Sequence, residues 1–217
     1  MPPFIHCIRH AQALHNVHQE YHLHDPVLTE LGYEQCKAAA ATELGDLDQI
    51  ELILASPMIR TIETALALFP AYTKAKKQIL LLPDLQEVDT TPCATGSSRE
   101  YLESKYGSIL DYSFVTPDWT DKTDGSRYSP QFVEKRAART RLLLQAIAQT
   151  YADKAVNIVV VSHGVYLEFL TENETFFKNV ERRTYVLNSI SGDSPGAELL
   201  ETPCSIARRT AYLVSMR

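Results

Sequence analysis

Residues 156–164 read VNIVVVSHG, and this segment says more about the fold than any other part of the chain. A run of six residues that are almost all β-branched is typical of a strand buried on both faces of a sheet. The run passes directly into Ser162, His163 and Gly164, and the next six residues, VYLEFL, have a helical pattern. A buried strand, a polar turn and a helix form the repeating unit of α/β proteins.

The rest of the chain continues this alternation. Further strands are predicted for residues 4–8 (FIHCI), 51–56 (ELILAS), 78–85 (QILLLPDL), 183–190 (RTYVLNSI), 197–202 (AELLET) and 210–216 (TAYLVSM). Helices are predicted for residues 29–44, 57–69, 99–106 and 130–152. We therefore expect one α/β domain over residues 1–217, a three-layer αβα sandwich with a mostly parallel central sheet. Residues 107–128 are an insertion that we expect to form a partial cap over the strand ends.

Two of the helices have recognisable start signals. Ser56 followed by Pro57 is a good beginning, with serine as the cap and proline at the first helical position. Ser97 and Glu100 have the spacing of a capping box for the helix near residue 99.

Composition limits the function and the location. Of the 217 residues, 45% are apolar and 22% are charged, which allows a sizeable core, and the net charge of −6 argues against a nucleic-acid partner. No apolar run approaches the roughly 18 residues of a membrane span, so no membrane partner is expected. The four cysteines lie far apart, which favours free thiols in a reducing compartment. Because the start also lacks a signal-peptide pattern, we expect a cytoplasmic protein.

Reactive side chains follow four predicted strands. Arg9 and His10 come directly after the first strand, Arg60 comes just after Ser56, Glu87 follows the third strand and His163 follows VNIVVV. In open α/β sheets, ligands bind at the carboxyl edge of the strands, so these side chains are expected to meet there.

These residue types suit phosphoryl transfer. Arg9 and Arg60 can each hold two phosphoryl oxygens with a planar, permanently charged fork. A neutral imidazole can attack phosphorus to give a phosphohistidine, which splits one displacement into two easier ones. The leaving alkoxide needs a proton, which Glu87 can supply if the phosphate charge keeps it protonated. Asp84 and Asp89 lie near Glu87 and are alternative donors.

Four motifs, in order, resemble those of the histidine phosphatase superfamily, whose fold is called phosphoglycerate mutase-like. The family's Arg-His-Gly appears as RHA at residues 9–11, with alanine in place of the usual glycine. The later motifs appear as DPVLTELG at residues 25–32, SPMIRTIETA at residues 56–65 and SHG at residues 162–164. The segment LQEVDTTPCATGS resembles a subgroup of small phosphatases from fungi and plants.

The resemblance implies a role for each matched position. His10 corresponds to the nucleophile, Glu87 to the proton donor, and Arg9, Arg60 and His163 to the phosphate pocket. Asn16 has the spacing of a phosphate-contacting asparagine. Gln12, His15 and Gly164 are expected at the substrate. The implied activity is hydrolysis of a small phosphate ester through a phosphohistidine, without cofactor or metal.

Several alternatives remain open on the sequence alone. A phosphoglycerate mutase would use the same residues, although the apolar tail ending in Arg217 modestly favours a phosphatase. A catalytically silent phospho-ligand binding protein and an enzyme for an unusual phosphate ester are further possibilities, and homo-oligomerisation is left open.

Three groups of side chains have competing interpretations. His15, His18, His22 and His24 could bind zinc, but their spacing favours a polar loop at the site mouth. Arg136, Arg139 and Arg141 are predicted to form a solvated helix face, with a second phosphate site as the alternative. The aromatic residues of the insertion fit either a lid over the substrate or a packed cap; they are Tyr112, Phe114 and Trp119.

Overall fold

The computed structural model describes residues 2–42, 44, 47, 49–152, 154–188 and 197–215. The strands are β1 (Phe4–Arg9), β2 (Ile50–Ala55), β3 (Ile79–Leu81), β4 (Leu110–Asp111), β5 (Asn157–Ser162), β6 (Arg182–Asn188) and β7 (Glu198–Glu201). The helices are α1 (Leu14–Val17), α2 (Glu30–Thr42), α3 (Ile59–Leu68), α4 (Pro70–Lys74), α5 (Arg99–Tyr106), α6 (Val133–Thr150), α7 (Gly164–Thr171) and α8 (Pro203–Ser215).

Within the described residues the strands form one sheet in the order β4-β3-β2-β5-β1-β6-β7. Strands β1 to β5 pair in parallel, and β6 and β7 add an antiparallel edge. The central strand β5 therefore lies between β1 and β2, which brings the loops after these three strands to one edge.

Alternation along the central strands explains the three layers. In β5, Val159 and Val161 pack with α2 and α3 on one face, and Ile158 and Val160 pack with α6 and α7 on the other. Successive side chains of a strand point to opposite faces, so an apolar run must be covered on both sides. The predicted three-layer α/β fold is confirmed.

Both predicted helix caps are wrong by one or two residues, although α5 begins at the predicted Arg99. Ser56 still pairs with the sheet through its backbone N–H to the Val161 carbonyl (3.1 Å), so α3 begins only at Ile59. For α5 the cap is Ser98, whose hydroxyl accepts from the Tyr101 N–H at 3.2 Å. The Ser97 N–H is used elsewhere, because it donates to the carboxylate of Asp25 at 2.7 Å.

Two other expectations about elements are also corrected. Residues 210–215 continue helix α8 instead of forming a strand, and Pro203 at its beginning suits the first turn of a helix; residues 216 and 217 lie outside the described part. The 107–128 segment is more than a cap, because it contributes β4, the parallel strand at the edge of the sheet beside β3. No helix in the described ranges is long and apolar enough to cross a bilayer.

Candidate active site

His10 lies immediately after β1 and is almost completely buried. Its Nδ1 donates to the carbonyl of Ala11 at 2.7 Å, because a carbonyl can only accept. The proton of the neutral ring is therefore on Nδ1, and Nε2 carries the lone pair. Arg60 Nε donates to this Nε2 at 3.2 Å. The geometry thus presents Nε2 as the nucleophilic atom.

The surroundings of His10 keep its ring neutral. Burial lowers its pKa well below the ordinary value of 6.5, and the positive charges of Arg60 and Arg9 lower it further. A neutral imidazole at physiological pH is the form that can attack phosphorus.

The two predicted pocket arginines converge on this point. Arg60 is buried and donates from Nη1 to the carbonyl of Cys93 at 2.8 Å. Arg9 donates from Nη1 to the carbonyl of Phe177 at 2.9 Å and lies over the ring of Phe176, 4.7 Å from its centroid. Arg9 Nε is buried with no hydrogen-bond partner in the described structure.

Gly164 allows α7 to approach Arg9 closely. A Cβ on this glycine would lie 3.3 Å from Arg9 Nε and 3.5 Å from the Phe176 ring. A side chain there would crowd the unpartnered guanidinium nitrogen. The absence of a side chain at Gly164 therefore leaves room beside Arg9.

His163 follows β5 and faces His10, with a ring-centroid separation of 5.3 Å. Its Nε2 is hydrogen-bonded to Ser56 Oγ at 2.9 Å. The other ring nitrogen, Nδ1, is buried without a partner among the described residues. Burial, Arg60 and His10 lower the pKa of His163 well below 6.5.

His15 joins the same cluster, its ring centroid 5.8 Å from that of His10. Asn16 Oδ1 accepts from the Ala13 N–H at 3.0 Å, so its Nδ2 must donate to His15 Nε2, also at 3.0 Å. The proton of neutral His15 therefore lies on Nδ1, a buried donor without a described partner. Burial, with Arg60 and Arg9, lowers the pKa of His15 to about 3.

Glu87 is fixed at the beginning of α7. Its Oε1 accepts from the backbone N–H of Val88 at 3.0 Å and of Tyr166 at 3.2 Å. No hydrogen bond among the described residues engages Oε2, so this oxygen has no partner among them. The Glu87 carboxylate also opposes the lowering of the pKa of both Arg9 and Arg60 by burial, so it lies near the pocket cations.

The alternative donors are placed less favourably. Asp84 is buried and receives Arg139 on both oxygens, at 3.0 and 3.1 Å, and Arg127 on one, at 3.2 Å. Three donors from two guanidinium groups therefore occupy both oxygens of Asp84. Asp89 is exposed and accepts from the Thr91 N–H in a local turn.

The DPVLTELG motif supports the loop that follows His10. Thr29 donates from its backbone N–H to the Gln12 carbonyl (3.0 Å) and from Oγ1 to the Gln12 side-chain oxygen (2.8 Å). A Cβ at Gly32 would lie only 2.2 Å from the same carbonyl, so the close approach requires glycine. The Gln12 side chain is therefore engaged within the protein, and a substrate contact by this residue stays a prediction.

The sequence analysis did not identify two residues that bind the backbone carbonyls of Arg9 and His10. Asn179 Nδ2 donates to the His10 carbonyl at 2.8 Å, and the Val180 N–H donates to the Arg9 carbonyl at 3.0 Å. Val180 has a φ of +61°, a strained conformation for a β-branched residue. Only the unusual conformation marks this segment, and a sequence pattern does not reveal it.

The other three histidines of the predicted loop differ from His15 in burial. His18, His22 and His24 are exposed, in contrast to His15. In the described ranges no group of three His, Cys, Asp or Glu side chains is arranged to hold a metal ion. Metal independence stays a prediction.

The arginines of α6 do not form a solvated face, so that expectation was wrong. Arg136 is fully buried over the ring of Tyr166, and Arg139 pairs with Asp84. Arg141 binds the carbonyls at the end of α7. The reason is that α6 packs against α7 through this face.

Of the insertion aromatics, Trp119 and Tyr112 are buried and Phe114 is about half exposed. The buried pair favours the packed cap over a lid.

Comparisons with known proteins match most of the chain to a family. The profile of the histidine phosphatase superfamily (branch 1) matches residues 5–185. A Schizosaccharomyces pombe protein described as a probable phosphatase is 31% identical over 168 residues, which is 74% of each chain. Phosphoglycerate mutase-like protein 1 of Arabidopsis thaliana is 28% identical over 196 residues, 75% of this chain and 68% of the plant protein.

Solved structures share the fold at low sequence identity. The phosphoglycerate mutase of Bacillus anthracis has a TM-score of 0.58 at 18% identity, covering 92% of both chains. A mycobacterial glucosyl-3-phosphoglycerate phosphatase has a TM-score of 0.57 at 18% identity, covering 92% of this chain and 97% of its own.

Proposed function

The chain belongs to branch 1 of the histidine phosphatase superfamily, an enzyme family of phosphatases and mutases, and we propose that it hydrolyses a small phosphate monoester through phospho-His10. One observation carries the proposal. His10 Nε2 accepts from Arg60 Nε, and three side chains around this ring have a buried nitrogen without a partner among the described residues: Arg9 Nε, His15 Nδ1 and His163 Nδ1. Unpartnered buried polar groups are costly, and a phosphoryl group would satisfy them.

In the first step, His10 Nε2 attacks phosphorus and the bond from phosphorus to the ester oxygen breaks. The electron pair leaves with that oxygen, which takes a proton from Glu87 and departs as the alcohol. The ring becomes positively charged, and the Ala11 carbonyl stabilises it through the Nδ1 proton. The pocket cations stabilise the three equatorial oxygens.

In the second step, water attacks the phosphohistidine. Glu87, now a carboxylate, takes one proton of the water, and the bond between Nε2 and phosphorus breaks. Inorganic phosphate forms, His10 returns to the neutral state with its proton still on Nδ1, and Glu87 is again protonated.

Charge stabilisation in this scheme comes from side chains. Two guanidinium groups and neutral histidine donors supply what a metal ion would otherwise supply. We therefore propose a metal-independent enzyme, and the assays below are made in the presence of EDTA.

The test is phosphate release from a panel of phosphate esters, with p-nitrophenyl phosphate included. Wild-type protein should be active, and His10→Ala should lose at least about 10³-fold, because no neighbour replaces a covalent step. His18→Ala, an exposed histidine nearby, is the matched control and should keep full activity. Equal activity of His10→Ala and wild type would refute the mechanism. Transfer to an added sugar-phosphate acceptor in place of water would identify a mutase.

A further inference from the structure

Lys122 is a buried lysine in the 107–128 segment, outside the pocket described above. Its Nζ donates to three backbone carbonyls: Glu87 at 2.6 Å, Asp89 at 2.8 Å and Ala94 at 2.5 Å. An ammonium has three N–H donors, so all of them are used on one loop. That loop begins with the residue proposed as the acid.

Two further contacts hold Gln86, the residue before Glu87; one involves the same segment and the other comes from α6. Gln86 Nε2 donates to the Trp119 carbonyl at 2.9 Å, and Arg136 Nη1 donates to the Gln86 carbonyl at 2.8 Å. The carbonyls of residues 86 and 87 therefore each receive a buried cation. The backbone is fixed on both sides of the Glu87 Cα.

Burial of the Lys122 ammonium costs free energy, because the charge is removed from water. An uncharged side chain packed in the same place would not have this cost. Removal from water, together with the positive charge of Arg136, lowers the pKa of Lys122 to about 7, and the Glu87 carboxylate opposes this shift. Buried ammonium groups persist where they are fully hydrogen-bonded. Three carbonyls of one loop provide this compensation, so the loop geometry and the lysine depend on each other.

We propose that Lys122 is a positioning residue for proton transfer, which holds the Glu87 backbone so that Oε2 stays directed at the leaving oxygen. The proposal rests on the proposed role of Glu87 as the acid. Lys122 itself does not contact substrate in this scheme. Replacement of Lys122 should therefore lower kcat/KM most for the substrates whose leaving groups need a proton.

The test is Lys122→Met, which removes the ammonium and keeps much of the apolar side chain. For wild type, Lys122→Met and Glu87→Gln, kcat/KM is measured on phenyl phosphate and on p-nitrophenyl phosphate, whose leaving group departs without protonation. We expect Lys122→Met to lose about 10-fold or more on phenyl phosphate, a fraction of the roughly 10²–10⁴-fold that acid catalysis contributes. On p-nitrophenyl phosphate the loss should be at least three times smaller, by the same reasoning. A change in phosphate binding would lower kcat/KM equally for both substrates, so it cancels when the loss on phenyl phosphate is divided by the loss on p-nitrophenyl phosphate.

The matched control is Lys37→Met, an exposed lysine on α2, which should change neither substrate. If Lys122→Met does not fold, Lys122→Gln, which keeps two N–H donors, is measured in its place. Equal losses on both substrates in Lys122→Met, with an unequal loss in Glu87→Gln, would overturn the positioning role alone. Equal losses in Glu87→Gln itself would overturn the proposed acid. Failure of both Lys122 variants to fold would show that the residue supports the whole fold, which also contradicts the proposal.

Discussion

At the scale of the residue, the two nitrogens of His10 have separate tasks. Nδ1 donates a hydrogen bond to the Ala11 carbonyl, and Nε2 accepts one from Arg60. The sequence indicates that His10 is the nucleophile, because of the ordered motifs around it. It does not indicate which nitrogen attacks, since that depends on a carbonyl placed by the backbone after β1.

The tautomer of His10 is directly measurable. In a ¹⁵N NMR titration, the His10 ring should show a protonated Nδ1 and an unprotonated Nε2 at pH 6.5, because burial and Arg60 lower its pKa well below that value. Arg60→Gln removes one of the lowering charges and should move the midpoint toward higher pH. A His10 ring that is half protonated near pH 6.5 in the wild type would contradict the assignment.

The Glu87 carboxyl gives a second prediction for a single side chain. Glu87→Gln cannot donate a carboxyl proton, so kcat/KM on alkyl or phenyl esters should fall by about 10²-fold or more. The loss on p-nitrophenyl phosphate should be much smaller, because its leaving group is stable as an anion. Equal losses of kcat/KM on both substrates would exclude Glu87 as the proton donor. Asp84 and Asp89 would then be the candidates, and the same two-substrate comparison on a variant of each would distinguish them.

At the scale of the element, the 107–128 insertion supports residues 84–96, which include Glu87, the proposed acid. Trp119 is fully buried against Gly96, and Arg127 reaches the buried Asp84 at the other end of the loop. The sequence marked these residues as an insertion with either a lid or a packing role. It could not decide between them, because burial of an aromatic residue depends on what the rest of the chain places beside it.

The contact between Gly96 and Trp119 can be tested by stability. A Cβ at Gly96 would lie 1.9 Å from the indole ring, so Gly96→Ala should lower the free energy of unfolding by about 1–3 kcal/mol. The check is denaturant unfolding of a double-mutant cycle with Trp119→Leu. In that background, Gly96→Ala should cost less than about 0.5 kcal/mol, since the clashing ring is gone. Equal costs in both backgrounds would mean that the ring is not the cause.

At the scale of the whole molecule, the strand order brings the site together. Placing β5 between β1 and β2 puts His163 next to His10 and Arg60, although these residues are far apart along the chain. This convergence was predictable, because apolar strands ending in reactive residues are visible in the sequence. The supports from residues 176–180 were not predictable, since a loop after the last helix of the site carries no periodic signal.

Buried neutral histidines also link folding to pH. The pKa of His163 is lowered by folding, so below pH 6.5 the unfolded chain binds the proton that the folded protein excludes. This histidine therefore stabilises the fold fully above pH 6.5, and its contribution is lost as the pH falls, by up to about 1.4 kcal/mol per pH unit.

The measurement is the free energy of unfolding between pH 8 and pH 5. His163→Gln should have a shallower pH dependence than wild type, whatever its absolute stability. His18→Gln, which changes an exposed histidine, should keep the wild-type slope. If the free energy of unfolding of His163→Gln has the wild-type pH dependence, folding does not prevent protonation of His163.

The central claim is the covalent intermediate on His10, and rapid-quench labelling tests it most directly. Wild type and Glu87→Gln are mixed with ³²P-labelled p-nitrophenyl phosphate, and the label is mapped by peptide analysis. We predict an acid-labile, alkali-stable phosphoryl group on His10. In Glu87→Gln it should accumulate with a burst of p-nitrophenolate that approaches one per site, because the water that hydrolyses it has lost its base. Turnover by both proteins with no label on His10, or with the label on another residue, would contradict the account.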